Sequence, residues 1–572
     1  MFALIIVVCI AILLRVVLAY NNWPYFNSDE SVMALMANHI LMKGEHPLLF
    51  YGQDYMGTIE AYLGAFFYTF LGSSVFAFRL GMIVLYVGFL LSVYAVSRQL
   101  YTKNFALFMV ALFCFGSTAL LSRELAGIGG YMEDNFIAAL LFALALRLAL
   151  TSADVSGKER VFRHLYFFLW AAAVGIGVWS DTIILPWVAC AGLLLVLFCW
   201  REMLFKGAIF SWLAGLLMGS IPLIVYNALA KPNHHIISAL LRSVNAVPFK
   251  LSTFIVQIKN TVGITIPIMT GSPVCHKSEY GFLHFYGFES DWGGRCMALG
   301  YSWSACFLLV GLISGVIASF FLVRGLSSWR RNHQLSFEEY QVLVCSCAQL
   351  LLLVGIAGFI FSFLRSESAL ITPGTSARYI MGTWVGFPAV VWLFWQGVIY
   401  TKKHASHLWQ YVELGRRAFC AACLLLLLLI GVFGSYQALG QMQQAQAAIT
   451  SEMSDIKILQ DHSVTDFYTD YWFCYRAMFY SSEQLTCGVS KYVYKKGVPL
   501  ITVQDRYAPY EIKLMHDLKS SYFVPNNQPA YGNYVKLQLA DQHVKYQTFT
   551  FGNYTVYRLT STLKHNFVQF EW

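Results

Sequence analysis

A chain of 572 residues that is 58% hydrophobic and 12% charged is too apolar for a soluble protein, which carries about a quarter charged residues. The formal net charge of +9 says less than where the charges lie, and no nucleic-acid-binding motif is present. These limits leave a large membrane body with room for one modest soluble domain.

Residues 2–20 are almost wholly apolar and long enough to cross a hydrocarbon core of ~30 Å. Hydropathy predicts further spans at about 75–97, 105–122, 132–150, 164–180, 182–200, 207–227, 301–324, 341–363, 379–399 and 418–438, eleven in all. Short connections on one side are densely basic, from Arg98 and Lys103 to Arg416 and Arg417. Those on the other side hold only Arg123, Arg365 and Arg378, and the first loop adds Lys43. The positive-inside rule places the N-terminus in the cytoplasm, with loops 21–74 and 228–300 and the C-terminal segment outside. A cleaved signal peptide is disfavoured, because no basic region precedes the apolar run and the exit is bulky Tyr20-Asn21-Asn22-Trp23.

The first span runs into Asn27-Ser28-Asp29-Glu30. Two adjacent carboxylates beside a membrane are costly without a task. Ser28 is the expected N-cap, with both acids in the first turn. Val32, Leu35, Met36, His39 and Ile40 recur at helical spacing, and Gly44 is the expected terminator. This predicts an amphipathic helix on the outer membrane face. First-turn acids also simply complement a helix dipole. Position beside the membrane favours chemistry, with the dipole keeping a carboxylate ionised as a general base. Next come Phe50-Tyr51-Gly52-Gln53-Asp54-Tyr55-Met56-Gly57 and Glu60. Residues 59–72 are apolar but short, which predicts an interfacial or re-entrant helix.

A second acidic site, Gly129-Gly130-Tyr131-Met132-Glu133-Asp134, opens the predicted fourth span, with Arg123 and Glu124 before it. Cations on the same side are Arg123, Lys231, Arg242, Arg365 and Arg378. Arginine suits phosphate, whereas any one of these taken alone reads as an interface anchor.

Nine of the thirteen cysteines lie in predicted spans. The other four fall in external segments, predicting the disulfides Cys275–Cys296 and Cys474–Cys487. His and Cys spacing matches no strong zinc pattern, so no metal is assigned. No cofactor is required, and a divalent cation is left open.

After residue 439 the chain turns polar. Gln441–Ser454 reads as helix, followed by strands at Val464–Tyr468, Val498–Val503, Tyr522–Val524, Tyr534–Leu539 and Tyr546–Phe551, with a helix at Ala508–Leu518. The expected organisation is a membrane body over 1–438 and a small external α/β domain over 439–572. Tyr468, Tyr471, Trp472 and Tyr475 fit either a sugar-contacting surface or an ordinary aromatic core.

The order of one span, an external Asp29-Glu30 opening a helix, the Tyr51–Gly57 segment with Glu60, and many further spans resembles the GT-C glycosyltransferases. The likeness is to the dolichyl-phosphate-mannose protein mannosyltransferase and aminoarabinose-transferase branch. Asp29-Glu30 is similar to that family's external acidic pair. Phe78-Arg79-Leu80 resembles the Arg-Leu that opens its next span, and Arg378-Tyr379 an Arg-Tyr that opens a late one. Gly130-Tyr131-x-Glu133 is similar to a segment of bacterial members. Met56-Gly57-Thr58 departs from the family's frequent Pro-Pro-Leu.

The resemblance implies a polytopic α-helical enzyme that moves a sugar from a polyprenyl-phosphate donor to an extracytoplasmic acceptor, with inversion. Its partners would be that donor, the acceptor and the bilayer, at a bacterial inner membrane with the site facing the periplasm. Asp29 is the expected base, with Glu30 or Glu133 orienting the acceptor or steadying oxocarbenium-like charge. Tyr51, Gln53, Tyr55, Glu60, Arg123, Tyr131, Asp134, Lys231, Arg378 and Tyr379 are the expected substrate contacts. The competing reading is a polytopic transporter or lipid flippase, which would set ionisable groups near the middle of its spans.

Overall fold

The computed structural model describes residues 2–151, 157–231, 234–238, 250–272, 294–332, 335–400, 407–495 and 497–570. The chain opens with α1 (Phe2–Tyr20), lays down two short helices, α2 (Ser28–Asn38) and α3 (Ile59–Leu71), and returns as α4 (Val75–Leu100). α5 (Lys103–Cys114) and α6 (Thr118–Leu125) meet at 89°. Then come α7 (Met132–Leu150), α8 (Lys158–Ser180) and α9 (Leu185–Phe205). α10 (Ala208–Gly219) and α11 (Ile221–Leu229) meet at 52°. The later long helices are Gly294–Asn332, Phe337–Leu364, Phe387–Ile399 and His407–Gly440. Among the described residues nine helices are long and apolar enough to cross a membrane, or eleven when each bent pair counts as one span.

Two features depart from the hydropathy reading. Leu251–Met269, expected inside an external loop, is itself one of the nine. The amides of Gln257 and Asn260 donate to the carbonyls of Ser366 and Ala369, so this segment packs against the end of helix Phe337–Leu364. α7 carries Glu133, Asp134 and Arg147, yet it is buried on nearly every side within the bundle.

The sharp bend between α5 and α6 has a polar explanation. A helix end leaves its last carbonyls without partners. Arg15 of α1 donates to the carbonyls of Cys114 and Phe113 at 2.7 and 3.1 Å, and Glu124 of α6 neutralises it at 2.6 Å. Its guanidinium also lies 3.9 Å over the Tyr86 ring.

The C-terminal segment begins with helix Met442–Asp461 and folds around a seven-stranded mixed sheet. The strands are β1 (Asp466–Thr469), β2 (Thr486–Lys495), β3 (Val498–Val503), β4 (Ser521–Pro525), β5 (Tyr546–Phe551), β6 (Tyr554–Leu559) and β7 (Val568–Phe570), in the order β5-β6-β4-β1-β2-β3-β7. β1 is central and parallel to both neighbours, with Phe467 opposite Cys487 on one side and Ser521 on the other. Cys474 and Cys487 form the expected disulfide, which ties helix Tyr471–Tyr480 to β2. Cys296 is also disulfide-bonded, whereas Cys275 lies outside the described residues.

The segment expected as a strand at Tyr534–Leu539 is instead part of helix Pro529–Asp541. Tyr531, Val535 and Leu539 are its buried side chains, with Gly532 beside them, a spacing of four that fits a helix face. Proline in its first turn matches a helix start.

α2 also differs from expectation. It is buried on almost all sides, from Ser28 and Glu30 through Asn38, rather than lying on a membrane surface. The C-terminal domain covers it. Phe26 and Phe50 join Phe467, Phe473 and Phe523 in one apolar core shared by the first loop and that domain.

Candidate active site

The N-cap of α2 is Asn27, not Ser28: the Asn27 side chain accepts from the Glu30 amide at 2.9 Å. Ser28 instead donates to the Trp472 carbonyl at 2.8 Å. The two acids of the first turn then diverge. Glu30 is fully buried and takes a two-pronged ion pair from Arg79 at 2.8 and 2.9 Å. Asp29 keeps 24% of its side chain exposed, accepts from the Tyr471 hydroxyl at 2.5 Å, and has the Arg506 guanidinium 4.0 Å away. Glu30 is therefore spent on a closed pair, and Asp29 is the acid that remains open.

Arg506 is placed by packing. Its guanidinium lies 5.3 Å over both Phe50 and Tyr471, and its amide donates to the Tyr475 hydroxyl at 2.6 Å. Gly52 explains part of the Tyr-Gly-Gln segment. It sits at φ +69°, and a Cβ there would come within 3.1 Å of Arg506.

The Gly129-Gly130 turn is positioned against the other side of the same end. Both glycines have left-handed φ, and a Cβ on Gly129 or Gly130 would strike Met56 or Asp181. Their amides hold two carboxylates, Gly129 to Glu60 at 2.8 Å and Gly130 to Glu133 at 3.1 Å. Glu60 and Glu133 lie carboxylate to carboxylate. Asp181 breaks the chain between α8 and α9, bridges Met56, and caps the Ile183 amide at 3.0 Å. Burial pushes the Asp181 carboxyl up to about 7.

Tyr131, following the glycines, accepts from Arg378 Nε at 3.0 Å. Arg378 also lies over the Tyr131 and Tyr379 rings at 5.8 and 5.4 Å, within electrostatic reach of Asp29. Tyr55 is within such reach of Tyr379, Asp181, Arg506 and Asp29. A small cavity beside this group is lined by Tyr131, Asp134, Asn135, Trp187, Arg378 and Met381. Among the described residues, neither carboxylate oxygen of buried Asp134 has a hydrogen-bond partner.

The structure thus gathers Asp29, Tyr55, Tyr131, Arg378 and Tyr379, with Glu60, Glu133 and Asp134 just behind. Arg123 sits close by, donating to the Thr375 carbonyl at 3.3 Å and so holding the stretch that leads to Arg378. Tyr51 belongs elsewhere: it stacks on Tyr507 and donates to Glu45. Gln53 is half-buried in the turn after Phe50, and Lys231 is exposed beyond α11. Arg242 lies outside the described residues. Sequence reasoning missed Arg506 and assigned Tyr471 no contact with Asp29. No local pattern links them to α2, which is more than four hundred residues away. Among the described residues no group of three His, Cys, Asp or Glu side chains could hold a metal ion.

No family model matches the chain. No curated protein matches it either. Solved structures do. ArnT from Cupriavidus metallidurans bound to undecaprenyl phosphate superposes with a TM-score of 0.56 at 12% identity, over 97% of each chain. The apo state of the same protein gives 0.54 at 13%, again over 97% of each chain. The chain has the GT-C fold. The Archaeoglobus fulgidus oligosaccharyltransferase, in complex with zinc and sulfate, gives a TM-score of 0.46 at 12% identity, over 97% of this chain and 73% of that one. Within the GT-C fold of this chain, the loop after α1 and the C-terminal domain meet at one end of the helical bundle. Asp29 lies in that junction.

Proposed function

We propose that this chain is a membrane glycosyltransferase that moves a sugar from a polyprenyl-phosphate donor to an extracytoplasmic acceptor, with inversion at the anomeric carbon. One observation carries the reading: a partly open carboxylate, Asp29, faces two arginines, Arg378 and Arg506, at the end of a membrane bundle. The shared fold with ArnT, solved with undecaprenyl phosphate, supports the donor class.

The chemistry follows from the charges. Asp29 takes the proton from the acceptor hydroxyl. The freed oxygen attacks the anomeric carbon on the face opposite the phosphate. The carbon–oxygen bond to the phosphate breaks, and its electron pair leaves on the polyprenyl phosphate. Arg378 and Arg506 hold that anion, a preorganised electrostatic role. A lipid phosphate is already a good leaving group, so no strong general acid is needed. Tyr471 and Arg506 orient the base. The basic-loop asymmetry supports placing this end of the bundle outside the cytoplasm, as at a bacterial inner membrane.

The transporter reading finds less support. Among the described residues, the buried pairs Arg15–Glu124 and Arg163–Glu202 are closed, each arginine also bonding backbone carbonyls, and they do not line a path. The deciding experiment offers purified chain a set of defined polyprenyl-phosphate pentoses and hexoses with extracted envelope acceptors. Transfer from one of them, reduced about 10²–10⁴-fold in Asp29→Asn, is expected. Absence of transfer from the whole set would sink the proposal, and parental rates in Asp29→Asn would remove the base. Arg378→Ala should raise the donor KM.

A further inference from the structure

Strand connectivity in the C-terminal domain marks a second place where a ligand fits. β1 and β4 are neighbours and run parallel. After β1 the chain enters helix Tyr471–Tyr480, whose Phe473, Ala477 and Met478 pack with Phe467 on one face of the sheet. After β4 it enters helix Pro529–Asp541, whose Tyr531, Val535 and Leu539 pack with Tyr468 and Tyr522 on the other face. Adjacent parallel strands whose helices leave on opposite faces keep a crevice beyond their carboxyl ends, and open α/β sheets bind ligands there. This crevice begins where β1 ends, at Asp470 and Tyr471, and Tyr471 bonds Asp29. It is therefore continuous with the candidate active site.

The side chains at its mouth are amides, hydroxyls and an indole. Asp470 caps helix Tyr471–Tyr480 by accepting from the Trp472 and Phe473 amides, and its other oxygen accepts from the Tyr554 hydroxyl. Past the end of β4, Asn526, Asn527 and Gln528 are exposed in sequence. Asn526 Oδ1 accepts from the Thr555 hydroxyl at 2.9 Å. Of the four aromatic residues that fitted either a sugar surface or a core, Tyr468 and Tyr475 are buried and Tyr471 is turned onto Asp29. Trp472 is 60% exposed, and among the described residues of its helix it alone is exposed. Its backbone is nonetheless fixed. The amide donates to Asp470 at 2.8 Å, and the carbonyl accepts from the Ser28 hydroxyl and Arg476 Nε, both at 2.8 Å. An open indole is thus held against the first turn of α2, beside the crevice.

That chemistry selects a ligand class. A pyranose ring has an apolar C–H face and a rim of hydroxyls. An indole takes the face by removing apolar area from water. Side-chain amides, each with two donors and an acceptor, take the rim. A phosphate would call for arginine instead. A bilayer contact would call for further exposed apolar side chains around Trp472, and Asn526, Asn527 and Gln528 are polar.

We propose that the crevice beyond β1 and β4 binds the acceptor, that the acceptor is a neutral, hydroxyl-rich saccharide, and that its ring stacks on Trp472. The acceptor role rests on the glycosyltransferase reading; saccharide binding does not. A sugar seated on Trp472 lies beside Ser28 and Tyr471, and so presents a hydroxyl toward Asp29.

The test is calorimetric titration of the full chain in lipid nanodiscs, without donor. The probes are oligomers of glucose, mannose and N-acetylglucosamine, with a uronic acid oligomer as the anionic control. At least one neutral oligomer should bind and the uronate should not. Trp472→Ala should weaken binding about tenfold or more, as loss of an aromatic anchor does. Gln528→Ala should weaken it in the same direction. Both side chains are exposed, so the unfolding midpoint should hold in each variant. No binding by any neutral oligomer at millimolar concentration, tighter binding of the uronate, or affinity unchanged in both variants would overturn the proposal. So would quenching of Trp472 by brominated lipid chains, read as the difference between parent and Trp472→Phe, because it would seat the indole in the bilayer. Where transfer is measurable, Trp472→Ala should raise the acceptor KM and leave the donor KM unchanged. Saccharide binding without transfer from any donor keeps the crevice and refutes the enzyme reading; transfer without saccharide binding does the reverse.

Discussion

Tyr471 donates its hydroxyl to Asp29 at 2.5 Å across 442 residues of sequence. This bond makes the C-terminal domain part of the site. Burial, together with the Asp29 charge, raises the Tyr471 phenol, so it stays a donor throughout the working pH range. Hydrogen bonds to charged groups contribute about 1.5–3 kcal/mol. Tyr471→Phe should therefore lower kcat about tenfold or more while the donor KM holds. Steady-state kinetics on the purified variant decide it. An unchanged kcat would mean that Asp29 needs no orienting from the domain.

Much of this was legible in the chain. Hydropathy located most of the bundle because a lipid-facing helix has few other sequences open to it. The Cys474–Cys487 pair followed from compartment and spacing. Asp29 stood out because charge beside a membrane is costly, and Arg378 through its resemblance to an Arg-Tyr that opens a late span. The contacts that complete the site were not legible. Arg506 and Tyr471 reach Asp29 only through tertiary packing, which no local pattern encodes. Asp29 was the expected base, but one helix turn gives no direction, and only the closed pair of Glu30 with Arg79 separates the two acids. Arg79 held a usable signal: an arginine inside the apolar run Val75–Leu85 demands a counterion, and Glu30 supplies it. The run Tyr534–Leu539 misled because a short apolar stretch fits either period.

The divergence of the two acids predicts opposite phenotypes. Glu30→Gln strands the fully buried Arg79, and breaking a buried pair typically costs about 3–5 kcal/mol. Reduced yield and a lower unfolding midpoint are expected. Asp29→Asn removes a partly exposed charge, so it should extract and run on size exclusion like the parent while losing turnover. Equal thermal stability of the two variants would contradict this division.

The disulfide closes a sequence separation of 13 residues and joins the helix carrying Tyr471 to the central sheet. A loop of about that length stabilises by about 3 kcal/mol. The Cys474→Ser, Cys487→Ser double variant should unfold at lower denaturant in the domain, and its transfer rate should fall with the order of the Tyr471 helix. Chemical denaturation followed beside activity tests both statements.

Asp505, next to Arg506, gives the domain a pH dependence of its own. Burial pushes its carboxyl up to about 7, against a bond from the Val489 amide at 2.9 Å and with help from the nearby Glu511 charge. Among the described residues, one of its oxygens has no hydrogen-bond partner. A folded-state value above the unfolded one means that the fold favours the protonated acid. The associated stability is complete below about pH 4, the ordinary aspartate range, and is lost as pH rises through about 7. Between those limits the loss runs at about 1.4 kcal/mol per pH unit. Asp505→Asn mimics the protonated form without titrating. It should match the parent near pH 4 and exceed it above pH 7. Denaturant midpoints of the domain transition at both pH values give the comparison. A variant that is less stable than the parent above pH 7 would show that ionised Asp505 is compensated in the fold, and that its ionisation stabilises the domain instead of weakening it.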